Sequence, residues 1–189
     1  MSAQDSKLFV ISGPSGAGKG TLVTRVRERR SNLGLTVSAT TRAPRKGEVD
    51  GVNYFFLTLE EFDRRVANGE FVEWAEVHGN CYGTLVSEVQ SKLASGSSLI
   101  LEIDVQGALQ VKERFPEAVL IFIKPPSLEV LRERLVGRGT ETPDTIELRM
   151  ANAAHELALA DRYDDVVVND DLDRATDELV RVLDMHERI

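Results

Sequence analysis

Residues 8–21 read LFVISGPSGAGKGT, and this stretch decides the fold. The apolar run Leu8 to Ile11 is typical of a buried strand, and Thr21 to Arg30 repeats its apolar residues with helical spacing. Between them, Gly13 to Lys19 matches the pattern G-x-x-x-x-G-K. In that pattern, backbone N–H groups and a helix N-terminus surround phosphate oxygens, and the lysine reaches the outer phosphates. The stretch therefore predicts a strand, a phosphate-binding loop at Gly13 to Thr21 and a helix.

The residue after the lysine departs from the usual pattern. Gly20 stands where a Ser or Thr hydroxyl normally contacts magnesium. Thr21 is the nearest hydroxyl that could replace it, and contacts through water are the alternative. A further candidate near the metal is Asp104, at the end of the run SLILEID. Asp104 also directly precedes a helical segment, so it could cap that helix as well as serve the site.

Apolar runs and helical patterns alternate along the rest of the chain. Three such pairs follow the loop: Ser98 to Ile103 before Val105 to Arg114, Val119 to Ile123 before Leu128 to Val136, and Asp165 to Val168 before Leu172 to Arg188. Buried strands that alternate with helices indicate a parallel sheet. We therefore expect an α/β protein, a P-loop three-layer fold around a central parallel sheet.

Two segments interrupt this alternation. Thr36 to Val77 is rich in Thr, Gly, Tyr and Phe and has turn signals at Lys46-Gly47 and Asp50-Gly51, which predicts an inserted, mixed and partly antiparallel subdomain. Gly137 to Asp144 is glycine-rich and charged, which predicts a mobile flap. The 189 residues favour one domain. We expect its core at 1–36, 97–126 and 156–189, the insertion at 37–96 and a small lid at 127–155.

Composition excludes several classes of function. There are 23 Lys and Arg against 31 Asp and Glu, and the resulting charge of −8 disfavours nucleic acid polymers and anionic membranes as partners. The sequence begins MSAQDSKLF, which has no signal-peptide pattern, and Ala118 to Ile123 is far too short to span a bilayer, so we expect a cytoplasmic protein. One cysteine, Cys81, and three scattered histidines predict neither a disulfide nor a zinc site.

The insertion carries the signal for a second substrate. Ser38 to Phe56 reads SATTRAPRKGEVDGVNYFF, and Glu70 to Thr84 reads EFVEWAEVHGNCYGT. Taken singly, their arginines would usually form a solvated basic turn and their tyrosines would be packing residues. Together with the loop, and with motifs in order up to residues 168–171 (VNDD), the chain closely resembles guanylate kinases, which transfer the terminal phosphate of ATP to GMP.

The resemblance implies a role for each matching residue. The GMP phosphate would be held by Arg42, Arg45, Tyr54 and Tyr82, and guanine would be read by Ser38, Glu73, Thr84 and Asp104, with Gly83 also in the GMP site. ATP would contact Gly13, Pro14, Ser15, Gly16, Ala17, Gly18, Lys19, Gly20, Thr21, Arg134, Arg138, Asn169 and Asp170. The catalytic set would be Lys19, Arg42, Asp104, Arg138 and Arg149, with Mg²⁺ as cofactor and Thr21 as its candidate ligand.

The chemistry of guanine agrees with this assignment. Its pairing edge offers N1–H and N2–H₂ as donors and O6 as an acceptor, so a carboxylate such as Glu73 can accept from both donors while a hydroxyl donates to O6. Adenine has an acceptor at N1 and would set it against the carboxylate. A buried mismatch of this kind can discriminate by about 10⁴. This argues against the nearest alternative, a kinase for AMP or another small acceptor.

The arginines around the flap suit the transfer step. By the resemblance, Arg134, Arg138 and Arg149 close over the triphosphate and neutralise the charge that spreads over the moving phosphoryl group. Pairing on a helix surface is the alternative for Arg134 and Arg138, and a simple turn is the alternative for Asn169 and Asp170. The acceptor is an already ionised phosphate oxygen, so no general base is expected.

Two other classes of function remain as alternatives. Guanylate-kinase-like domains of scaffold proteins bind peptides and have damaged phosphate loops, whereas Lys19, Arg42 and Arg45 are intact here. A GTPase-like switch would need an Asn-Lys-x-Asp motif, which this sequence lacks. The sequence leaves the oligomeric state open.

Overall fold

The computed structural model describes residues 6–77, 79–137, 139 and 142–187. Its strands are β1 (Leu8–Ser12), β2 (Gly34–Leu35), β3 (Ala39–Thr40), β4 (Phe55–Phe56), β5 (Phe71–Val77), β6 (Asn80–Leu85), β7 (Leu99–Glu102), β8 (Val119–Lys124) and β9 (Asp165–Val168). Its helices are α1 (Lys19–Arg29), α2 (Leu59–Ala67), α3 (Val86–Ala94), α4 (Val105–Arg114), α5 (Leu128–Gly137), α6 (Pro143–Leu157) and α7 (Leu172–Glu187).

A parallel sheet forms the centre of the fold, in the order β2-β7-β1-β8-β9. All of its neighbouring strands run parallel, and β1 is hydrogen-bonded to β7 on one side and β8 on the other. The whole of β1 is buried, as its apolar sequence requires. The predicted central parallel sheet is confirmed, and its carboxyl edge is where the loop after β1 begins.

Helices cover both faces of this sheet and make three layers. Phe9 and Ile11 point to the face that packs against α1 and α7. Leu8 and Val10, which alternate with them along β1, point to the face that packs against α4 and also contacts Val89 of α3. The predicted three-layer arrangement is therefore confirmed, and the central sheet has an apolar core on each of its faces.

A second, mixed sheet has the strand order β4-β3-β6-β5. Strand β3 is parallel to β4 and antiparallel to β6, and β6 is antiparallel to β5. Its own core forms around Ala39, Phe62, Phe71, Cys81 and Leu85. The predicted mixed insertion is confirmed, although α2 and α3 within it were not predicted.

Several element ends differ from the sequence expectation. Helix α1 begins at Lys19 rather than Thr21, because the glycine-rich loop is shorter than the motif suggests. Strand β7 ends at Glu102, so Asp104 lies beyond the strand and its side chain caps α4 by accepting from Gly107 N at 2.8 Å. The helices flanking the expected flap extend to Gly137 and from Pro143. Within the described ranges, no helix is both long and apolar enough to cross a membrane.

Candidate active site

The phosphate-binding loop leaves the first turn of α1 open to a ligand. Gly18 is the N-cap of α1 in the left-handed conformation (φ 93°), and no side chain caps this helix. A Cβ at Gly18 would lie 2.3 Å from Nδ2 of Asn169, so both backbone and space require glycine. Helices α2, α4 and α6 are capped by Thr58, Asp104 and Thr142. The uncapped N–H groups of α1 are therefore donors available to phosphate oxygens.

Lys19 places its ammonium inside the curve of the loop. Its Nζ donates to the carbonyl oxygen of Gly13 at 2.5 Å and to that of Pro14 at 3.1 Å. The positive charge thus lies beside the open helix N-terminus, and the two add in attracting an anion.

Asn169 holds the loop in place from the end of β9. This residue is 5% exposed, and its Nδ2 donates to the carbonyl oxygen of Ala17 at 2.8 Å. Its own backbone is tied on both sides, because its N–H donates to Lys124 and its carbonyl accepts from Arg134 Nη2, each at 2.8 Å. The side-chain amide of Asn169, which was predicted to contact ATP, is therefore engaged with the loop.

A cavity of 500 Å³ opens beside the loop. It is lined by loop and α1 residues Gly16, Gly18 and Thr21, together with Arg134, Gly137, Asn169, Asp170 and Leu172. Asp170 is exposed there and pairs with Arg174 one helical turn later. Six of the eight lining residues are among those that the resemblance assigns to ATP.

Glu102 is a site residue that the sequence reading missed. Its two carboxylate oxygens lie 3.6 and 3.7 Å from the position of a Cβ at Gly20. Burial raises the pKa of Glu102, and the nearby Lys19 opposes this. Glu102 could have been predicted from its position at the carboxyl end of a buried parallel strand, where such folds bind ligands. The run SLILEID predicts a strand end at Asp104, two residues beyond the observed end of β7, and Asp104 was therefore proposed in place of Glu102.

Arg42, Tyr54 and Tyr82 come together on the mixed sheet. The guanidinium carbon of Arg42 lies 5.4 Å from the centre of the Tyr54 ring, and the Tyr54 and Tyr82 rings meet edge to face at 6.2 Å. Arg45, predicted to join them, has an exposed side chain, and Ser38 is half-buried. A guanidinium flanked by two tyrosines is an arrangement suited to a phosphate dianion.

Glu73 and Asp104 converge at the start of α4. A Cβ at Gly107 would lie 3.6 Å from Glu73 Oε2 and 3.5 Å from Asp104 Oδ1. Burial raises the pKa of Glu73, Thr84 opposes this, and Asp104 raises the pKa further. Thr84 is paired with Glu73 across the sheet, and its buried Oγ1 lies close enough to act on the Glu73 carboxylate but makes no well-formed hydrogen bond among the described residues. The sheet thus presents a half-buried carboxylate beside a hydroxyl that lacks a well-formed hydrogen bond.

Gly83 makes this pairing possible by its lack of a side chain. A Cβ at Gly83 would lie 2.7 Å from the carbonyl oxygen of Glu73 and 2.9 Å from Cβ of Trp74. Strands β5 and β6 therefore approach more closely here than any other residue would allow. The role of Gly83 in this structure is to bring Glu73 into place.

A second cavity, of 450 Å³, lies between α4 and α6. It is lined by Asp104, Val105, Gln106, Asn152, His155, Glu156 and Leu159. Burial raises the pKa of Glu156, with Lys19 opposing and Asp104 adding to the effect. Glu156 is thus close enough for Lys19 of the loop and Asp104, which converges with Glu73, both to affect it, so the cleft that contains this cavity adjoins both predicted halves of the site.

An arginine of the predicted lid contacts the loop. Arg149 of α6 donates to the hydroxyl of Ser15. Helices α5 and α6 are joined by Arg132 and Glu147, whose Nη2 and Oε2 atoms are 2.9 Å apart. Arg138, which the resemblance places over the triphosphate together with Arg149, falls outside the described residues. Within the part of the chain that is described, no cluster of three or more His, Cys, Asp or Glu side chains could hold a metal ion.

Comparison with known proteins agrees with the geometry. The family model described as guanylate kinase matches residues 5–186. A guanylate kinase of Gloeobacter violaceus is 56% identical over 178 residues, covering 94% of this chain and 87% of the relative, and one of Halalkalibacterium halodurans is 51% identical over 183 residues, covering 97% and 90%. The crystal structure of guanylate kinase from Anaplasma phagocytophilum superposes with a TM-score of 0.71 at 37% identity and covers 96% of this chain and 86% of that one. The chain therefore belongs to the guanylate kinase family.

Proposed function

We propose that the cleft binds ATP at the loop and GMP at the mixed sheet and that the residues described above carry the transfer of the γ-phosphate between them. The family identity makes the protein a nucleoside monophosphate kinase with ATP:GMP phosphotransfer as its activity. The observation that carries the choice of acceptor is the half-buried Glu73 carboxylate beside the Thr84 hydroxyl, which makes no well-formed hydrogen bond among the described residues. These are the groups that the pairing edge of guanine requires.

Guanine would complete the hydrogen bonding of this pocket. Ionised Glu73 can accept from both N1–H and N2–H₂, and Thr84 can donate to O6. Adenine cannot supply N1–H, so it would leave the buried carboxylate unpaired at a cost of several kcal/mol, about 1–3 kcal/mol for each missing partner. The group formed by Arg42, Tyr54 and Tyr82 would bind the phosphate of GMP, which guanosine lacks.

Transfer would depend on position and charge. On the donor side, the N–H groups of α1 and Lys19 meet the ATP phosphates. Arg149, already in contact with Ser15 of the loop, would lie over the moving group and stabilise its charge. The GMP phosphate oxygen attacks in its ionised form, so the side chains exclude water and align the reactants without removing a proton.

The oxygen donors near Lys19 fit a hydrated Mg²⁺ held chiefly by the nucleotide. Glu102 lies against Gly20, and the hydroxyl-bearing Thr21 lines the donor cavity instead. Mg²⁺ keeps several waters and takes one or two carboxylates with substrate phosphates, which favours water-mediated contact near Glu102 over direct ligation by Thr21. When bound, Mg²⁺ would supply neutralisation of the β- and γ-phosphate oxygens.

The mixed sheet and the α5–α6 pair would act as movable parts on the central sheet. We propose the insertion at 37–96 as the GMP-binding unit and 127–155 as the lid, with the remainder as core. Helices α5 and α6 pack on each other through Leu131, Leu135 and Ala153, so a lid could move as one body. A cytoplasmic location, with neither nucleic acid nor membrane as partner, is part of the same proposal.

The test is ADP release from ATP with GMP, dGMP, AMP, CMP or UMP as acceptor. GMP should give the highest kcat/KM, and dGMP should also serve because the pocket reads the base and the phosphate. Equal turnover of all five acceptors would refute the guanine assignment. A protein that bound peptides but released no ADP would support the scaffold alternative.

A further inference from the structure

Glu48 pairs with Arg42 through two parallel hydrogen bonds. Arg42 Nη2 donates to Oε1 at 2.9 Å, and Nη1 donates to Oε2 at 3.0 Å. The side chains are 16% and 20% exposed, so solvent screens the pair only in part. Glu48 Oε2 also accepts from the backbone N–H of Arg45 at 2.7 Å. The carboxylate therefore fixes the guanidinium relative to the turn that follows β3.

These bonds decide which edge of Arg42 remains for a ligand. Its Nη1 also donates to the carbonyl oxygen of Ala43 at 2.7 Å. Of the five N–H groups of a guanidinium, both on Nη1 and one on Nη2 are thereby engaged. The other two, on Nε and Nη2, lie along one lateral edge and form a second fork that can bind two oxygens of one phosphate.

Aromatic rings hold the plane of the same guanidinium. Its central carbon lies 5.4 Å from the centre of the Tyr54 ring and 5.8 Å from that of Phe56. Glu48, and to a smaller extent Tyr82, raises the pKa of Arg42. Arg42, Tyr54 and Tyr82 are the residues to which the resemblance assigns the GMP phosphate, so the lateral fork belongs to that cluster.

We propose that Glu48 is a positioning residue, which holds the end of the Arg42 guanidinium so that its lateral edge receives the phosphate of GMP. The inference rests on the proposed function and goes beyond it, because Glu48 itself contacts no substrate. A carboxylate that merely competed with phosphate for Arg42 would have the opposite effect, since its removal would strengthen GMP binding. The sign of the change therefore separates the two roles.

The experiment is calorimetric titration of Glu48→Gln with GMP and with guanosine. Loss of one charge-assisted hydrogen bond should weaken GMP binding about tenfold. Guanosine has no phosphate, so its affinity should not change. In the kinetic assay, KM for GMP should rise while KM for ATP and kcat at saturation change little. Glu48→Asp, which keeps the charge, should restore part of the affinity.

Glu61→Gln is the matched control. Glu61 pairs with Arg64 and Arg65 on the surface of α2, so the variant removes the same charge from an arginine pair outside the site. Unchanged or tighter GMP binding by Glu48→Gln would overturn the inference, as would equal losses for GMP and guanosine. If the wild-type protein bound GMP no better than guanosine, the result would refute the phosphate site and the proposed function as well as the role of Glu48.

Discussion

Replacing Glu73 by Gln should separate recognition of guanine from binding of ATP. Glu73→Gln keeps the shape of the side chain but replaces one acceptor oxygen by an NH₂ donor. One charged hydrogen bond is lost, about 2 kcal/mol, and one guanine donor is left facing another donor, about 1–2 kcal/mol more. The sum of about 3–4 kcal/mol corresponds to a loss of about 10² to 10³ in kcat/KM for GMP. KM for ATP should remain within about twofold, because the loop residues do not contact Glu73.

The assay is steady-state ADP release with each nucleotide varied in turn. Glu76→Gln is the control, because Glu76 lies on the same strand β5 with its side chain exposed. It should leave both KM values unchanged. If Glu73→Gln weakened ATP and GMP equally, or left GMP turnover intact, guanine would not be read by Glu73.

The same substitution should stabilise the protein without ligand. Burial raises the pKa of Glu73 above its value in the unfolded chain. The folded state then binds the proton more readily, so stability falls as pH rises from the ordinary carboxyl pKa through the raised one. Above the ordinary carboxyl pKa the raised pKa therefore costs stability, and Gln removes that cost. Thermal unfolding at pH 7 should show a higher Tm for the variant, and GMP affinity of the wild type should fall on acidification through the raised pKa.

Three further substitutions test the parts that support the two halves of the site. Asn169→Leu should cost about 1–3 kcal/mol in urea unfolding and raise KM for ATP, because the Ala17 carbonyl loses its donor; an unchanged KM for ATP would contradict the bracing role. Lys19→Ala should lower kcat about 10²-fold or more, and near-normal turnover would exclude Lys19 from transfer. Gly83→Ala should destabilise by about 1–3 kcal/mol and weaken GMP more than ATP, since its methyl group would push β5 and Glu73 away; equal effects on both nucleotides would contradict this.

The central fold could be predicted from the sequence because it depends on local pattern. The run at Leu8, the loop after it and the helix that follows each obey short-range rules, and the predicted α4 range, Val105 to Arg114, matches the observed one. The mixed sheet was harder to predict in detail, since β3 and β4 are only two residues long and are defined by their partners. Helices α2 and α3 were not predicted, because the insertion was assigned as a mixed sheet from its turn signals and its content of Thr, Gly, Tyr and Phe.

The contacts that hold the site residues in place could not be predicted from the sequence. Asn169 supports the loop across 152 positions of sequence, and no local pattern shows that its amide meets Ala17. Glu102 became visible only when β7 was found to end two residues earlier than expected. Glu48 lies in a turn whose charges, read singly, are typical of solvent-exposed residues. Family resemblance supplied the groups expected to touch substrate, whereas the structure supplied those that hold them.

In the proposed acceptor site, selectivity for guanine would be prepared in the folded chain before any ligand binds. Burial raises the pKa of half-buried Glu73, and Thr84 Oγ1 makes no well-formed hydrogen bond in the described part of the protein, so both raise the free energy of the folded state. Guanine removes both costs, because it brings two donors and one acceptor to the same place. Adenine removes neither fully. Since Gly83 allows the close approach of β5 and β6, we expect the backbone around the proposed pocket to resist adjusting to the wrong base, so discrimination would depend on the sheet as well as on the two side chains.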